Sequence, residues 1–317
     1  MNICFIGNCG HSAQAYRVLK TRNDIKMCGF APSCLREGGG SSPFDGVPYF
    51  SDWREMLVKT KADMAVVAPI FGLNADIIIQ CAEMGINVFA EKPIATTLKQ
   101  LDAVKRAVKA HKIRLCAMHY LRYTPTFYRA AEMVRAGAVG EVRMLTAQKS
   151  YKWGRRPEWY SERELYGGTV PWIGIHAIDW IYAFTGKRFL SVTAESYGSP
   201  ETAALCQFRL EDGVIASVNL DYLRPSSAKT HGDDRVRCVG TDGVIEVTEK
   251  EILLINDQGY QALAPTDAPE LLTEFLSGGN AVSPDEIFHL TRAALCARDA
   301  ADTGRKVMIS RSDKPLS

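Results

Sequence analysis

The segment GGTVPWIGIHAID, residues 167–179, joins a glycine pair to a histidine and an aspartate that stand three positions apart. An imidazole titrates near neutral pH and can therefore transfer a proton. On a helix His176 and Asp179 share a face, so the carboxylate is a candidate for orienting the ring. An aspartate at such a position is more often a structural partner for the helix or a neighbouring basic group. The alternative is a buried histidine with a structural role, because its neighbours along the helix are apolar.

A turn that suits a phosphate group follows the first apolar strand, NICFIG, and precedes a predicted helix. In Rossmann folds the backbone N–H groups and the positive helix end at such a turn bind the pyrophosphate of a dinucleotide. The G-x-G-x-x-G pattern is incomplete, because Cys9 stands at its second glycine, so an ordinary strand-to-helix turn remains the alternative. The turn residues are Gly7, Asn8, Cys9, Gly10, His11 and Ser12.

The end of the second predicted strand is where a Rossmann fold contacts the adenosine ribose. An acidic residue there accepts hydrogen bonds from the ribose hydroxyls of NAD, but the segment FAPSCLR, residues 30–36, carries no carboxylate. Ser33 and Arg36 suit a 2′-phosphate better, which favours NADP over NAD. The alternative for Arg36 is a solvated loop charge.

The 317 residues divide into an alternating first part and a strand-rich second part. Strand and helix patterns alternate through residues 1–120, which predicts parallel β-α-β units in a doubly wound sheet. Short runs of β-type composition with EDG and TDG turns then predict an antiparallel sheet, so residues 121–317 are expected to form an α+β domain. A last helix over about residues 284–303 has Ser283 as its N-cap and Gly304 as its C-cap.

Composition and charge exclude several classes of protein. The net charge of +2 is too small to indicate a nucleic-acid or membrane partner. No apolar run approaches the roughly 20 residues of a membrane span, and the N-terminus lacks the pattern of a secretory signal. Nine scattered cysteines without a CxxC pair predict a reducing, cytoplasmic compartment with neither disulfides nor a metal site.

Glu91-Lys92-Pro93 after the strand NVFA, Arg122-x-x-Pro125, AGAVGEVR and the GG…GxH segment together resemble the Gfo/Idh/MocA family over nearly the whole chain. The resemblance implies an N-terminal Rossmann domain and an α+β domain with a large, mostly antiparallel open sheet. It also implies homo-oligomers through that sheet and a last helix that packs back on the Rossmann domain. Members mostly oxidise or reduce a sugar, cyclitol or related hydroxyl or carbonyl compound with NAD or NADP.

The resemblance also assigns residues to roles. Catalysis falls to Lys92, whose ammonium can hold the reacting oxygen, and to His176 as acid, base or hydrogen-bonding group. The alternative for Lys92 is a surface lysine after a strand. The implied cofactor contacts are the glycine-turn residues together with Ser33, Arg36, Pro69, Glu91 and Lys92. The implied substrate contacts are Tyr120, Arg122, Tyr151, Trp172 and Asp179.

Departures from the family pattern leave other functions open. Trp172 stands where many members have an aspartate, and Asn74 stands where a histidine is common. A cofactor-retaining glycosidase or lyase, or a non-catalytic cofactor-binding sensor, are therefore alternatives. The basic residues Lys152, Arg155 and Arg156 suggest an acidic group on the substrate, with a solvated basic loop as the alternative.

Overall fold

The computed structural model describes residues 1–279 and 281–309. A parallel sheet in its N-terminal part has the strand order β2-β1-β3-β4-β5. Phe30 also forms a parallel bridge with Tyr49 beside β2, and with that bridge as an edge strand the order is that of a Rossmann fold. The strands are β1 (Asn2–Ile6), β2 (Lys26–Ala31), β3 (Met64–Val67), β4 (Asn87–Ala90) and β5 (Leu115–Ala117).

Helices connect these strands in the predicted alternation. They are α1 (Ser12–Leu19), α2 (Trp53–Thr60), α3 (Asn74–Glu83) and α4 (Leu98–His111). The helical spacing of Leu98, Leu101, Val104 and Val108 predicts an apolar face of α4, and all of these but the half-buried Leu98 are buried. Ligands of such sheets bind at the carboxyl ends of the strands, so the loops after β1 to β4 are where a cofactor is expected.

A second sheet follows, with the strand order β13-β12-β11-β10-β6-β9-β8-β7-β14. Neighbouring strands pair antiparallel except β6 and β9, which are parallel. The predicted combination of a parallel sheet and a large, mostly antiparallel sheet is therefore confirmed. The strands are β6 (Val142–Tyr151), β7 (Phe189–Tyr197), β8 (Ala203–Leu210), β9 (Ile215–Asp221), β10 (Gly232–Gly240), β11 (Gly243–Thr248), β12 (Ile252–Asn256), β13 (Gly259–Leu263) and β14 (Val307–Met308).

The C-terminal sheet has one covered and one open face. Along β8, buried and exposed residues alternate, which is the period of a strand with one solvated face. The open face carries exposed apolar side chains such as Leu205 and Ile215. Association of copies through this face remains a prediction. The covered face packs on α5 (Pro125–Arg135) and α7 (Ile175–Thr185), while α6 (Arg163–Tyr166) and α8 (Leu271–Leu276) lie in the connections.

Helix α9 (Pro284–Thr303) contacts both parts of the molecule. Ser283 caps its start and Gly304 ends it in the left-handed conformation, both as predicted, and Glu286 completes a capping box with Ser283. On α9, Arg292 pairs with Asp102 of α4 at 2.5 Å, and Arg298 donates to the Gly167 carbonyl oxygen at 3.1 Å. The helix therefore ties the segment that contains His176 to the parallel sheet.

The predicted domain boundary and the predicted lack of a membrane span both concern the whole chain. The domain division at residue 120 remains a prediction, and residues 310–317 of the second predicted domain lie outside the described residues. Within residues 1–279 and 281–309, none of the helices is long and apolar enough to cross a lipid bilayer.

Candidate active site

The glycine turn after β1 packs tightly against the loops that follow β3 and β4. Gly7 has a φ of 72°, and a Cβ there would lie 2.5 Å from the Ala68 carbonyl oxygen and 2.8 Å from the Cα of Pro69. Gly10 has a φ of 61°, and a Cβ there would overlap the carboxylate of Glu91. Both positions therefore require glycine, although Cys9 interrupts the usual glycine pattern.

The Glu91 carboxylate connects this turn to the loop after β4. It is fully buried and accepts the backbone N–H of His11 at 2.5 Å, the His11 ring nitrogen Nδ1 at 3.0 Å and the Lys92 N–H at 2.9 Å. Burial by itself would raise the pKa of Glu91, but the charges of His11 and Lys92 outweigh it and leave that pKa below its ordinary value. Because Trp172 stands at the position of the usual aspartate, the segment 172–176 has no carboxylate to pair with His176. A carboxylate–imidazole pair is present instead between Glu91 and His11.

Lys92 is buried at the centre of the site, with 1% of its surface exposed. Its Nζ donates to the Trp172 carbonyl oxygen at 2.7 Å and lies 3.3 Å from the centroid of the indole. Asn74 fixes the loop by donating to the carbonyl oxygens of Glu91 and Pro93. Burial lowers the pKa of Lys92 to about 7, so the neutral amine and the ammonium are both available near neutral pH.

Trp172 belongs to an aromatic wall, which we define as Trp172, Phe71 and Tyr160. The Trp172 ring stacks on Phe71 with centroids 3.9 Å apart, and the ring of Phe71 meets Tyr160 at 6.0 Å. Trp172 lies in a π-helical turn, Val170–Gly174, directly before α7, and such turns are frequent at functional sites. Contact of Trp172 with a substrate remains a prediction, and the Trp172 carbonyl oxygen holds Lys92.

His176 lies near the start of α7 and is buried. Its ring centroid is 5.7 Å from that of His11 and 6.5 Å from that of His119. Its Nδ1 has no hydrogen-bond partner within the described part of the chain. Burial, reinforced by the charge of Lys92, lowers the pKa of His176 well below its ordinary value, so the ring is neutral at physiological pH.

Asp179 pairs with basic residues outside its own helix. Its carboxylate binds the Arg122 guanidinium at 2.5 Å and lies 3.6 Å from Nδ1 of His119, while Arg122 also reaches Glu286 at 3.0 Å. Asp179 therefore does not orient His176 but pairs with neighbouring basic groups, the alternative that the sequence favours. Arg122 and Asp179 satisfy each other, so neither charge is left for a substrate.

The loop after β2 also differs from expectation. Glu37 accepts the Ser33 N–H at 2.7 Å, the Ser33 hydroxyl at 2.5 Å and the Ile70 N–H at 2.9 Å. Arg36 is exposed and pairs with Glu162 at 2.7 Å. Ser33 and Arg36 are thus engaged by carboxylates rather than left for a 2′-phosphate.

A cavity of about 570 Å³ opens between this loop and the glycine turn. Burial raises the pKa of the Cys9 thiol, and the Glu37 charge adds to the effect, so Cys9 is a protonated wall residue rather than a nucleophile. The cavity is lined by Asn8, Cys9, Arg36, Glu37, Pro157, Glu158, Trp159 and Glu162.

A buried lysine approaches the site from the C-terminal sheet. Lys149 on β6 donates to Asp234 at 2.5 Å and to the Tyr151 hydroxyl at 2.6 Å. Burial lowers the pKa of Lys149, although Asp234 opposes that shift. The predicted substrate residue Tyr151 is therefore already hydrogen-bonded, whereas the Tyr120 hydroxyl, near His11, has no partner within the described residues.

Comparison with known proteins assigns both parts of the chain. Residues 2–119 match the profile described as "Oxidoreductase family, NAD-binding Rossmann fold". Residues 127–246 match the profile described as "GFO/IDH/MocA C-terminal domain". The chain belongs to the Gfo/Idh/MocA family. The resemblance suggested by Glu91-Lys92-Pro93 and the GG…GxH segment is thereby confirmed.

Relatives of this Gfo/Idh/MocA protein include both sequences and solved structures. A Thermotoga maritima structure, of a protein provisionally assigned as an oxidoreductase, is 39% identical, with a TM-score of 0.91 over 97% of this chain and 100% of that one. A levoglucosan dehydrogenase, solved with NADH and levoglucosan, shares the fold at 18% identity, with a TM-score of 0.81 over 98% of this chain and 100% of that one. The trans-1,2-dihydrobenzene-1,2-diol dehydrogenase of Xenopus tropicalis is 22% identical over 204 residues, 62% of this chain and 59% of that one. The chain spans about half the length of the curated relatives that it matches.

Sequence reasoning missed three groups of this Gfo/Idh/MocA site. Glu37 is the first carboxylate after β2, and its place in the segment SCLREGGG was the available signal. His119 follows β5 at the carboxyl edge of the parallel sheet, where functional side chains gather. Lys149 occupies an inward-facing position of β6, and a lysine at such a position indicates a buried charge with a partner.

Proposed function

We propose that the protein oxidises a hydroxyl group of a sugar-like or cyclitol compound and transfers the hydride to NAD. The observation that carries this proposal is the buried Lys92 at the carboxyl end of β4, whose charge acts on His176 and whose neighbour Glu91 holds His11 of the dinucleotide-type turn. The named substrates of the relatives, levoglucosan and a dihydrobenzenediol, support a hydroxyl-bearing carbon as the reacting centre.

The residues present fit NAD. The positively polarised start of α1 and the glycine turn lie beside the 570 Å³ cavity, as binding of a pyrophosphate and an adenosine requires. Asn8 and Cys9 would lie along the pyrophosphate, with Gly10, His11 and Ser12 leading into the helix. Pro69 would close the cavity from the loop after β3.

Lys92 is the residue that we assign to the reacting oxygen. NAD, when bound, would supply the acceptor for the hydride that leaves the carbon bearing the hydroxyl group. The neutral Lys92 amine would take the hydroxyl proton and become an ammonium as the alcohol becomes a carbonyl. In the opposite direction the ammonium returns the proton and stabilises negative charge on the oxygen. His176 stays neutral, so we assign it to hydrogen bonding with the substrate.

His11 offers this proton a way out of the site. Its side chain is 25% exposed, whereas Lys92 and His176 are buried, and the Glu91 carboxylate holds its Nδ1. His11→Gln should therefore lower kcat on the order of 10²-fold and increase the solvent isotope effect, with added imidazole restoring part of the rate. The affinity for NAD should persist, because the backbone N–H of residue 11 keeps its hydrogen bond to the Glu91 carboxylate. His111→Gln, at the exposed end of α4, is the control, and equal kinetics of the two variants would contradict the assignment.

A coupled binding and absorbance assay tests the proposed function. Purified protein should bind NAD at micromolar to millimolar concentrations and form NADH when polyols, cyclitols or anhydrosugars are added. Failure to bind either NAD or NADP at millimolar concentration would exclude hydride transfer. Product release without net NADH formation would instead favour the cofactor-retaining lyase or glycosidase.

Glu37 supports NAD rather than NADP as the cofactor. Its carboxylate lies where the loops after β1, β2 and β3 converge, the place of the adenosine ribose in Rossmann folds. Such a carboxylate can accept hydrogen bonds from the ribose hydroxyls. Glu158 and Glu162 add negative charge to the same cavity, which disfavours a 2′-phosphate.

Neutralising Glu37 should change cofactor preference. Glu37→Gln is expected to weaken NAD binding about tenfold or more and to reduce the discrimination against NADP, because repulsion of the 2′-phosphate is lost. Equilibrium titrations with both cofactors measure the ratio of their dissociation constants. Glu164→Gln, on an exposed residue of α6, should leave the ratio unchanged. Tighter binding of NADP than of NAD by the unmodified protein would refute the assignment.

A further inference from the structure

Arg156 is a cation that faces the aromatic wall and is left without an acidic partner. Its guanidinium carbon lies 4.7 Å from the ring centroid of Tyr222 and 5.3 Å from that of Tyr160. Within residues 1–279 and 281–309 it forms no ion pair, and its buried Nε has no hydrogen-bond acceptor. Aromatic faces attract a guanidinium but do not replace an oxygen acceptor for its N–H groups.

The hydroxyl of Tyr222 is also buried, but the Tyr166 hydroxyl and the Trp172 indole lie beside it as hydrogen-bond partners. The Nε of Arg156 is therefore the donor in this cluster that has no acceptor within the described part of the chain. Buried polar groups in folded proteins are nearly always paired, so this guanidinium calls for an acceptor that the chain itself does not supply. A ligand with anionic oxygen atoms provides such an acceptor.

The other two members of the basic run do not share this position. Lys152 donates to the carbonyl oxygens of Ser226 and Ala228, at 2.8 and 2.5 Å. Arg155 is exposed to solvent. Lys152 and Arg155 therefore belong to the solvated part of the loop, whereas Arg156 faces the site.

Arg156 and Lys92 lie at opposite ends of the aromatic wall. Tyr160, next to Arg156, meets Phe71, and Phe71 stacks on Trp172, whose ring lies under Lys92. The carboxylates near this region already have partners, since Asp234 binds Lys149 and Glu91 binds His11. The positive charge of Arg156 also acts on Lys92, where it contributes to the lowered pKa after the larger effect of burial.

We propose that the substrate is a polyhydroxy compound with a carboxylate or phosphate group, which Arg156 binds at the far end of the aromatic wall from Lys92. This inference rests on the proposed function, because it places the reacting hydroxyl at Lys92. A guanidinium suits the two oxygen atoms of such a group better than a lysine ammonium does.

Three probes that differ at one carbon test the proposal: D-glucose, D-glucuronate and D-glucose 6-phosphate. Calorimetric titration of the NAD-saturated protein should show at least about tenfold tighter binding of one anionic probe than of glucose, as charge-assisted hydrogen bonds provide. The tighter of the two anionic probes identifies the group as carboxylate or phosphate. Arg156→Gln should remove this preference, whereas the neighbouring variant Arg155→Gln, with the same change of charge, should retain it.

The outcomes separate this inference from the proposed function. Equal binding of all three probes, no binding of either anion, or equal loss in the Arg156→Gln and Arg155→Gln variants would overturn the inference. NADH formation from neutral sugars alone would also overturn it, while leaving the oxidoreductase function intact. Arg156-dependent binding of an anionic probe without hydride transfer to any hydroxyl compound would retain the anion site and count against the function. Unchanged melting temperatures of both variants confirm that they are folded.

Discussion

Lys92→Met should lower kcat by about 10²- to 10³-fold, because it removes the group assigned to the reacting oxygen. Methionine fills a similar volume, so the aromatic wall keeps its support. The melting temperature should fall only slightly, because the Trp172 carbonyl oxygen loses its donor while burial already disfavours the charged form of Lys92. Steady-state kinetics with saturating NAD measure the effect, and Lys109→Met, on the exposed side of α4, is the matched control. A kcat of the Lys92→Met variant within tenfold of the unmodified protein would contradict the assignment.

The pH dependence of the reaction rates follows from the protonation state of Lys92. Oxidation needs the neutral amine of Lys92, and the pKa of that group is lowered to about 7. The rate of alcohol oxidation should therefore rise as the pH increases through about 7 and then level off, whereas carbonyl reduction should decline over the same range. The Lys92→Met variant should lose this dependence.

Asp179→Ala should lower the free energy of unfolding by about 3–5 kcal/mol, the usual cost of leaving one member of a buried ion pair without its partner. Arg122 would remain in a site where it has 9% exposure and would keep only its contact with Glu286. Denaturant unfolding monitored by circular dichroism measures the loss. Adding Arg122→Met to Asp179→Ala should recover part of it, because the unpaired charge is then gone. A double variant no more stable than Asp179→Ala would argue against this explanation.

Acid should weaken the ion pair between Asp179 and Arg122 and thereby destabilise the fold. Burial would raise the pKa of Asp179, but Arg122 and His119 reverse that effect and lower it to about 2. The stabilising contribution is therefore complete above the ordinary aspartate pKa of about 4 and is lost as the pH falls from there to about 2. Asp24→Ala, which breaks an exposed pair with Arg22, should leave the unfolding midpoint almost unchanged. A loss of the same size in that variant would show that burial is not the cause.

The architecture could be predicted because its signals are local. Apolar spacing predicted α4, the residues Ser283 and Gly304 bounded α9, and alternation of strands and helices predicted the parallel sheet. Each signal lies within one turn or one strand, so it can be seen without knowing which elements pack together. Glu91-Lys92-Pro93 and the GG…GxH segment identified the family for the same reason.

The pairing of charges was decided only in three dimensions. His176 and Asp179 are close in sequence, yet Asp179 binds Arg122 from the loop after β5, which packing brings against α7. Glu37, several residues after β2, accepts a hydrogen bond from the Ser33 hydroxyl. Lys149 donates to Asp234 on the neighbouring strand β10. The sequence by itself determined which chemical groups this protein has and which strands carry them to one edge. The tertiary structure decided which groups neutralise each other and which remain free, because a buried charge must be satisfied by whatever partner the packing of distant elements brings within reach.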